Sequence, residues 1–206
     1  KAGKFHLGSI IGPISGLIKN AEYCINGKYH RTTRNYRNTH CIDGGKIGFH
    51  AVNWKASVDG TDVILSHATD GTCGFPAIIL TQVLFSVNSK NKLTIKMSAR
   101  SNQVTPIDMS IRLYFNLASH SAGVNELVEH LVMVESSKIC EKNSEGFYSK
   151  TPKEKNFKDL KKFLEYFDTE TVDNLFLRDK KDSRDNLSLA MRAIHPISGR
   201  VLEIYS

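Results

Sequence analysis

Residues 52–65 have the sequence Val-Asn-Trp-Lys-Ala-Ser-Val-Asp-Gly-Thr-Asp-Val-Ile-Leu and indicate a β-hairpin. Two β-rich runs flank the pair Asp59-Gly60, a dipeptide that readily forms a tight hairpin turn. A second signal of this kind is Asn26-Gly27, which lies between residues 21–25 and 28–30. Both stretches therefore predict ordinary antiparallel strand pairs.

Further strands are predicted on the carboxyl side of these hairpins. Between residues 91 and 99, Leu93, Ile95 and Met97 alternate with polar residues, which is the period of a half-buried strand. Many short strands separated by turns are typical of a sandwich or barrel, so we predict a mainly β, antiparallel fold. The remaining strand candidates have mixed alternation and cover residues 107–117, 127–134, 187–194 and 200–205.

One segment has a different period. Its apolar residues recur at helical spacing, with lysines between them, and we predict one short amphipathic helix around residues 154–167 that packs on a sheet face or edge. A helix that binds a partner protein is the alternative. The apolar stripe consists of Phe157, Leu160, Phe163, Leu164 and Phe167.

Length and composition fit one globular domain covering residues 1–206. The chain is 40% hydrophobic and 24% charged, and 206 residues can bury a sizeable single core. The formal net charge of +7 would favour acidic partners, but eight of the lysines lie between Lys138 and Lys162. No nucleic-acid-binding motif accompanies them, so we interpret this stretch as a solvated basic face and disfavour nucleic acid as a partner.

The cysteines and the hydropathy pattern leave the cellular compartment open. The four cysteines form no Cys-x-x-Cys pair, and the histidines lack metal-ligand spacing, so no metal site is predicted. Free buried thiols are one interpretation, and two disulfides in a secreted protein are the other, with Asn186-Leu187-Ser188 as a glycosylation pattern. No apolar run reaches the roughly 18 to 20 residues that span a bilayer.

Several motifs along the chain resemble one known family. Asp43-Gly44-Gly45-Lys46-Ile47-Gly48-Phe49 is similar to the Leu-His-Gly-Gly-x-x-Gly-Phe segment of the aldose 1-epimerases (galactose mutarotases). Residues 105–117 are similar to that family's Thr-Pro-x-Asn-x-Thr-Asn-His-Ser-Tyr-Phe-Asn-Leu strand, and residues 196–205 to its Pro-x-Ser-Gly-Arg-x-Leu-Glu-Val-Tyr strand. Residues 5–12, 70–76 and 172–176 resemble further segments of the family, and the likeness is weakest from Lys138 to Asp168.

The resemblance implies a galactose mutarotase-like β-sandwich, also called a supersandwich, and a cytoplasmic location. Family members continue beyond the Ser-Gly-Arg strand, so we expect this domain to be incomplete at both ends. The strand at residues 200–205 would then have an open edge, which a missing segment or a partner chain would cover.

Mutarotation, as the resemblance implies it, needs proton transfer and no cofactor. A base takes the proton of the anomeric hydroxyl, and a histidine acid protonates the ring oxygen. The acid position holds Arg112, which stays protonated, and the second histidine position holds Asp43, which is normally ionised. The family's glutamate base would lie beyond Ser206, so no intact catalytic residue is predicted in the chain.

The sugar-binding positions are also altered. The family's Asn-Arg pair before Ile18 is replaced by Gly16-Leu17, whereas Asp173 keeps the residue type that contacts sugar hydroxyls. The candidate substrate-binding residues are thus Asp173, Arg112 and Asp43, with a hexose or a sugar phosphate as ligand. For Asp173, a structural hydrogen bond is an equal alternative.

The histidines and cysteines outside these motifs are interpreted as structural. His40 and Cys41 are neighbours on a predicted strand and should point to opposite faces, so a catalytic dyad is disfavoured. The other histidines are interpreted as surface or core residues: His6, His30, His50, His67, His120, His130 and His195.

Two hypotheses follow from these residues. The first is a non-catalytic aldose 1-epimerase-like protein, a pseudoenzyme that binds a carbohydrate or sugar phosphate or serves as a protein-interaction module. The alternative is an active aldose 1-epimerase, an isomerase that acts through substitute residues.

Overall fold

The structure is a computed structural model that describes residues 6–167, 173–179 and 187–206. The chain forms two compact units, Lys1–Tyr114 and Phe115–Ser206. The single domain over residues 1–206 stays a prediction. Every pairing between the strands defined below is antiparallel, which confirms the predicted mainly β fold.

The first unit contains ten of the described strands. The order β6-β7-β8-β9 makes a four-stranded sheet, and β1-β10, β2-β5 and β3-β4 are two-stranded pairs. Two 3₁₀ helices, Lys19–Ala21 and Phe49–Ala51, connect them. The strands are β1 (Ile10–Ile11), β2 (Leu17–Ile18), β3 (Glu22–Ile25), β4 (Lys28–Arg31), β5 (Cys41–Ile42), β6 (Lys55–Asp59), β7 (Asp62–Ala68), β8 (Ile79–Val87), β9 (Leu93–Ser101) and β10 (Ser110–Ile111).

Both predicted hairpins are confirmed in this unit. Ile25 pairs with Lys28, and Asn26 and Gly27 between them have φ of 49° and 80°, as a type I′ turn requires. Asp59 pairs with Asp62, so the second turn is centred on Gly60 and Thr61, one residue later than the predicted pair. The core consists of buried Ile10, Phe49 and Val83, packed against Trp54, Leu65, Phe85, Ile95 and Met109.

The second unit combines two small sheets with two short helices. The strand orders are β14-β11-β16-β17 and β13-β12-β15. Phe157 is fully buried at the centre of this core, where its ring contacts those of Tyr166, Phe167 and Phe176. The elements are α1 (Val124–Val128), β11 (Leu131–Val134), β12 (Lys138–Cys140), β13 (Lys153–Glu154), β14 (Lys161–Lys162), α2 (Phe163–Tyr166), β15 (Leu175–Leu177), β16 (Leu189–His195) and β17 (Arg200–Tyr205).

The helix predicted around residues 154–167 is present but shorter than predicted, because only Phe163–Tyr166 is helical. The stretch before it contains the short strands β13 and β14 and no helix, and it is bonded to a neighbouring segment. The amide of Phe157 donates to the carbonyl of Ser136, and its carbonyl accepts from the amide of Val134. Aromatic residues at helical spacing therefore reach one core from a non-helical segment followed by a single helical turn.

Three further boundaries differ from the prediction. The predicted strand 107–117 is reduced to Ser110–Ile111, and the predicted strand 127–134 begins with the helix α1 before β11. The nine-residue strand β8 was covered by no predicted element. β17 pairs with β16 and forms an edge of the four-stranded sheet in the described part of this unit.

Candidate functional site

Asp43 is a buried carboxylate placed by a glycine-rich turn that follows β5. Asp43 is 2% exposed and has a φ of 55°. Its Oδ1 accepts a hydrogen bond from the amide of Gly16 at 3.0 Å. The next residue, Gly44, has φ of 79°, and a Cβ there would lie 2.0 Å from the carbonyl oxygen of Gly12. Only glycine fits this close approach, which fixes the direction of the Asp43 side chain.

Arg112 follows β10 and is held beside the segment that precedes β1. Its carbonyl accepts from the amide of Gly8 at 2.7 Å, and its amide donates to the carbonyl of Ser9 at 3.1 Å. Its Nη2 donates to Oδ2 of Asp43 at 2.5 Å, and its side chain is 29% exposed. The two positions that the sequence singled out separately thus form one ion pair.

The charges of this pair determine what it can do chemically. A guanidinium has only hydrogen-bond donors and a carboxylate only acceptors, so this pair offers a ligand one group of each kind and no imidazole. Because Asp43 contacts Arg112 directly, its negative charge also offsets the positive charge that an anionic ligand would otherwise meet.

Two histidines that sequence reasoning interpreted as ordinary surface or core residues lie next to this pair. His50, in the 3₁₀ helix Phe49–Ala51, has its ring centroid 4.1 Å from that of His6. Burial lowers the pKa of His50, and the charges of His6 and Arg112 lower it further, while the charge of Asp43 and a hydrogen bond to its backbone raise it. Nδ1 of His50 is buried and has no hydrogen-bond partner among the described residues.

The sequence could not predict that these two rings are in contact, because His6 and His50 are far apart in the chain and follow no motif spacing. What brings them together is the pairing of β1 with β10 and the hydrogen bond from the amide of Phe49 to the carbonyl of Gly12. Among the residues that the structure describes, no group of three or more His, Cys, Asp or Glu side chains could hold a metal ion.

Asp173 belongs to the second unit, where its carboxylate already has protein partners. It forms an ion pair with Lys142 and accepts a hydrogen bond from the hydroxyl of Tyr148 at 3.0 Å. The Lys142 ammonium also lies 4.9 Å from the centre of the Tyr148 ring. These contacts favour the structural alternative for Asp173, and its role in sugar binding stays a prediction.

His40 and Cys41 have the surroundings of structural residues. Nδ1 of His40 accepts from the amide of Asn20 at 3.0 Å. Cys41 is fully buried, and burial raises the pKa of its thiol, which disfavours the reactive thiolate. All four cysteines of the chain are free thiols in the structure.

The lysine-rich stretch carries its own counterions. Five of its eight lysines lie within 4 Å of an aspartate or glutamate oxygen, so much of its charge is balanced locally. None of the helices in the described ranges is long and apolar enough to cross a membrane. The five paired lysines are Lys138, Lys142, Lys153, Lys158 and Lys162.

The motif Pro-Ile-Ser-Gly-Arg at residues 196–200 has a structural role. The Ser198 hydroxyl donates to the carbonyl of Leu117 at 3.0 Å, and Arg200 Nη1 donates to the carbonyls of Leu117 and Ala118 at 2.9 Å. This turn therefore fixes the backbone of the Asn-Leu motif within the second unit.

Solved structures define the class to which this architecture belongs. A GalM/aldose epimerase homologue from C. elegans has a TM-score of 0.83 at 20% identity, over 97% of this chain and 62% of that one. A galactose 1-epimerase from Lactobacillus acidophilus NCFM gives 0.75 at 19% identity, over 94% and 59%. The predicted galactose mutarotase-like fold is thus confirmed.

Sequence comparison assigns the family. The family model described as aldose 1-epimerase matches residues 1–206, and the chain belongs to this family. The galactose mutarotase of Bos taurus is 26% identical over 216 residues, covering 98% of this chain and 59% of the relative. The aldose 1-epimerase of Haemophilus influenzae is 24% identical over 143 residues, 68% of this chain and 41% of the relative. The chain thus spans less than two thirds of the length of these relatives.

Proposed function

We propose that this chain is an aldose 1-epimerase family member that binds hexoses without interconverting their anomers. The observation that carries the proposal is the ion pair between the buried carboxylate of Asp43 and the partly exposed guanidinium of Arg112, at 2.5 Å. It stands at the two positions where the resemblance expects imidazoles, and neither partner can relay a proton to a ring oxygen. Loss of a positioned acid or base typically costs about 10²–10⁴ in rate. The galactose mutarotases among the relatives support a hexose as the ligand class.

A neutral hexose is favoured over a sugar phosphate near neutral pH. A phosphate that approached Arg112 would also meet the carboxylate of Asp43, whose charge opposes it. A hydroxyl group can instead accept from the guanidinium and donate to the carboxylate.

Polarimetry tests the absence of catalysis. We expect freshly dissolved α-D-galactose and α-D-glucose to relax no faster with the purified protein than in buffer, with a galactose mutarotase as the positive control. Binding of galactose near neutral pH is measured separately by calorimetry. Relaxation faster than in buffer would contradict the proposed lack of catalysis, and its loss in Arg112→Met or Asp43→Asn would assign the activity to the ion pair. Absence of any hexose binding would contradict the proposed binding function.

The second candidate function is an active aldose 1-epimerase acting through substitute residues. The specific observation in its favour is the His6–His50 pair beside Asp43 and Arg112, because imidazole exchanges protons near neutral pH. This candidate predicts relaxation faster than buffer that is lost in His50→Gln and retained in Arg112→Met.

A further inference from the structure

The strand β6 is one edge of the four-stranded sheet in the first unit, and its outer side is unpaired among the residues that the structure describes. All five of its residues, Lys55–Asp59, are exposed. Val58 is 73% exposed, although it lies in the same cross-strand row as Phe85 and Ile95, which pack against the core. An open strand edge presents a row of N–H and C=O groups that can pair with another strand.

We propose that β6 is a dimerisation edge, which pairs antiparallel with β6 of a second copy of this chain about a twofold axis at Ser57. Lys55 then lies opposite Asp59 of the second copy. Ala56 lies opposite Val58, and Ser57 lies opposite Ser57. The two sheets continue into each other across the axis, as in an isologous contact. The proposal concerns a different surface from the ion pair and is independent of the proposed function.

The hairpin with β7 decides which backbone groups of β6 are open. Asp59 pairs with Asp62 across a two-residue turn. A turn of this length is closed by a hydrogen-bonded pair, and such pairs alternate with non-bonded pairs along an antiparallel ladder. Every second residue counted back from Asp59 therefore bonds to β7, whereas the N–H and C=O groups of Ala56 and Val58 point to the open edge.

These open groups restrict the register of a self-pairing. Two residues that exchange backbone hydrogen bonds across an antiparallel pair must both direct their groups toward the partner strand. Ala56 opposite Val58 meets this condition, and the twofold axis makes the same pair a second time. Shifts that place Ala56 or Val58 opposite itself also meet it. Only the register about Ser57, however, puts Lys55 opposite Asp59.

The charges of β6 are symmetric about Ser57. Lys55 and Asp59 lie two residues on either side of it, on one face of the strand. Neither side chain has an ion pair with another residue that the structure describes. Opposite charges directly across two strands stabilise the pair, and like charges destabilise it. On the other face, Val58 gains Ala56 of the second copy as an apolar neighbour.

The other edge of the same sheet lacks this symmetry. The strand β9 has Lys96 and Arg100 and no acidic residue between Leu93 and Ser101. Two copies that paired along β9 would therefore bring only like charges together. Lysines on an edge strand are a common means of preventing such pairing. Because β6 combines one lysine with one aspartate at symmetric positions, its charges favour a second copy instead of repelling it.

Analytical ultracentrifugation over a range of protein concentrations tests the proposal. A contact made by one short strand belongs to the weak, transient interfaces, so we expect monomer at about 1 µM and a growing fraction of dimer towards about 300 µM. A chain that stays monomeric over this whole range would overturn the proposal, and the open edge would then be left to a strand of another protein.

Two charge reversals locate the contact and its register. Lys55→Asp and Asp59→Lys each place like charges opposite one another, so each variant alone should dimerise at least about tenfold more weakly than the unaltered chain. An equimolar mixture of the two variants restores opposite charges at both contacts and should form the dimer again. This rescue also shows that both variants are folded. A mixture that dimerises no better than the single variants would contradict the register.

Two further variants complete the test. Lys96→Asp makes the same change of charge on the β9 edge and is the matched control, which should dimerise like the unaltered chain. Val58→Pro removes an N–H that points to the open edge and leaves the hydrogen bonds to β7 in place, so it should abolish the dimer. A dimer that survives Val58→Pro, or that weakens equally in Lys96→Asp, would show that β6 is not the contact.

Discussion

The carboxylate of Asp43 is buried; the guanidinium of Arg112 is its counterion, and the backbone amide of Gly16 donates a hydrogen bond to it. Burying an ion pair contributes little net stability, but removing one partner leaves an uncompensated charge in the interior. The pair is therefore a site where a single substitution and a double substitution should differ sharply. Arg31 and Glu22 offer the contrast, since that pair lies on the surface with the Arg31 side chain 83% exposed.

We expect Arg112→Met to lower the free energy of unfolding by about 3 kcal/mol, because it leaves the buried Asp43 carboxylate without its counterion. The double variant Asp43→Asn, Arg112→Met should recover part of this loss, with a coupling energy of about 1–3 kcal/mol. Urea unfolding of both single variants and the double variant measures the cycle. The control Arg31→Met should change stability by less than about 1 kcal/mol. Additive effects at positions 43 and 112 would show that the pair is energetically unimportant.

At the same scale, the sequence located Asp43 and Arg112 but could not show that they touch. Each stood out only by comparison with a family motif, and their contact depends on the pairing of β1 with β10. His6 and His50 were not predicted as site residues, because neither lies at a motif position to which the resemblance assigns a catalytic or binding role. Lone histidines carry no information about their neighbours, since burial and ring contacts arise only in the folded chain.

At the scale of elements, turn chemistry predicted more than hydrophobic spacing did. Asn26-Gly27 and Asp59-Gly60 marked real hairpins, because positive φ at a tight turn is a local requirement of the backbone. The central strand β8 was missed although Ile79, Thr81 and Val83 alternate inward. Apolar residues lie on both faces of this strand, including Leu80 and Leu84, so the sequence does not show the alternation of apolar and polar residues that predicts a strand.

The stretch from residue 154 to 167 shows why helical spacing misled. In a helix, Phe157 and Leu160 would share one buried face. In the structure Phe157 is fully buried, whereas Leu160 and Leu164 are 41% and 56% exposed. The segment reaches the core through non-helical backbone at Phe157 and a single helical turn from Phe163, so part of the apparent stripe faces solvent.

This geometry predicts unequal costs for two truncations in the same apolar stripe. Phe157→Ala should destabilise the protein by about 3–5 kcal/mol, because it opens a cavity among three aromatic rings. Leu160→Ala should cost less than about 1 kcal/mol, since its side chain is already partly in solvent. Thermal or urea unfolding of both variants measures the difference. Similar large losses at both positions would favour the continuous helix that the spacing predicted.

At the scale of the whole molecule, the net charge of +7 overstates the attraction for polyanions. Affinity for nucleic acid depends on how many phosphates are neutralised by lysines and arginines that have no other counterion. Lys138, Lys153 and Lys158 each have a carboxylate within 4 Å, on Glu154, Glu141 and both Glu135 and Asp179 respectively. Formal charge counted from the sequence cannot include this local balance.

We therefore expect no gel shift of a duplex of about 20 base pairs at about 0.15 M salt, where unpaired surface charge is needed to hold DNA. The quadruple variant Glu135→Gln, Glu141→Gln, Glu154→Gln, Asp179→Asn removes the carboxylates beside Lys138, Lys153 and Lys158 without adding any lysine. It should bind the duplex at about 0.05 M salt with a steeper salt dependence than the unaltered protein. Glu22→Gln, which frees Arg31 in the other unit, is the matched control for one added net charge. Strong binding by the unaltered protein at about 0.15 M salt would show that the paired lysines remain available to phosphate, and the basic face would then be a binding surface in its own right.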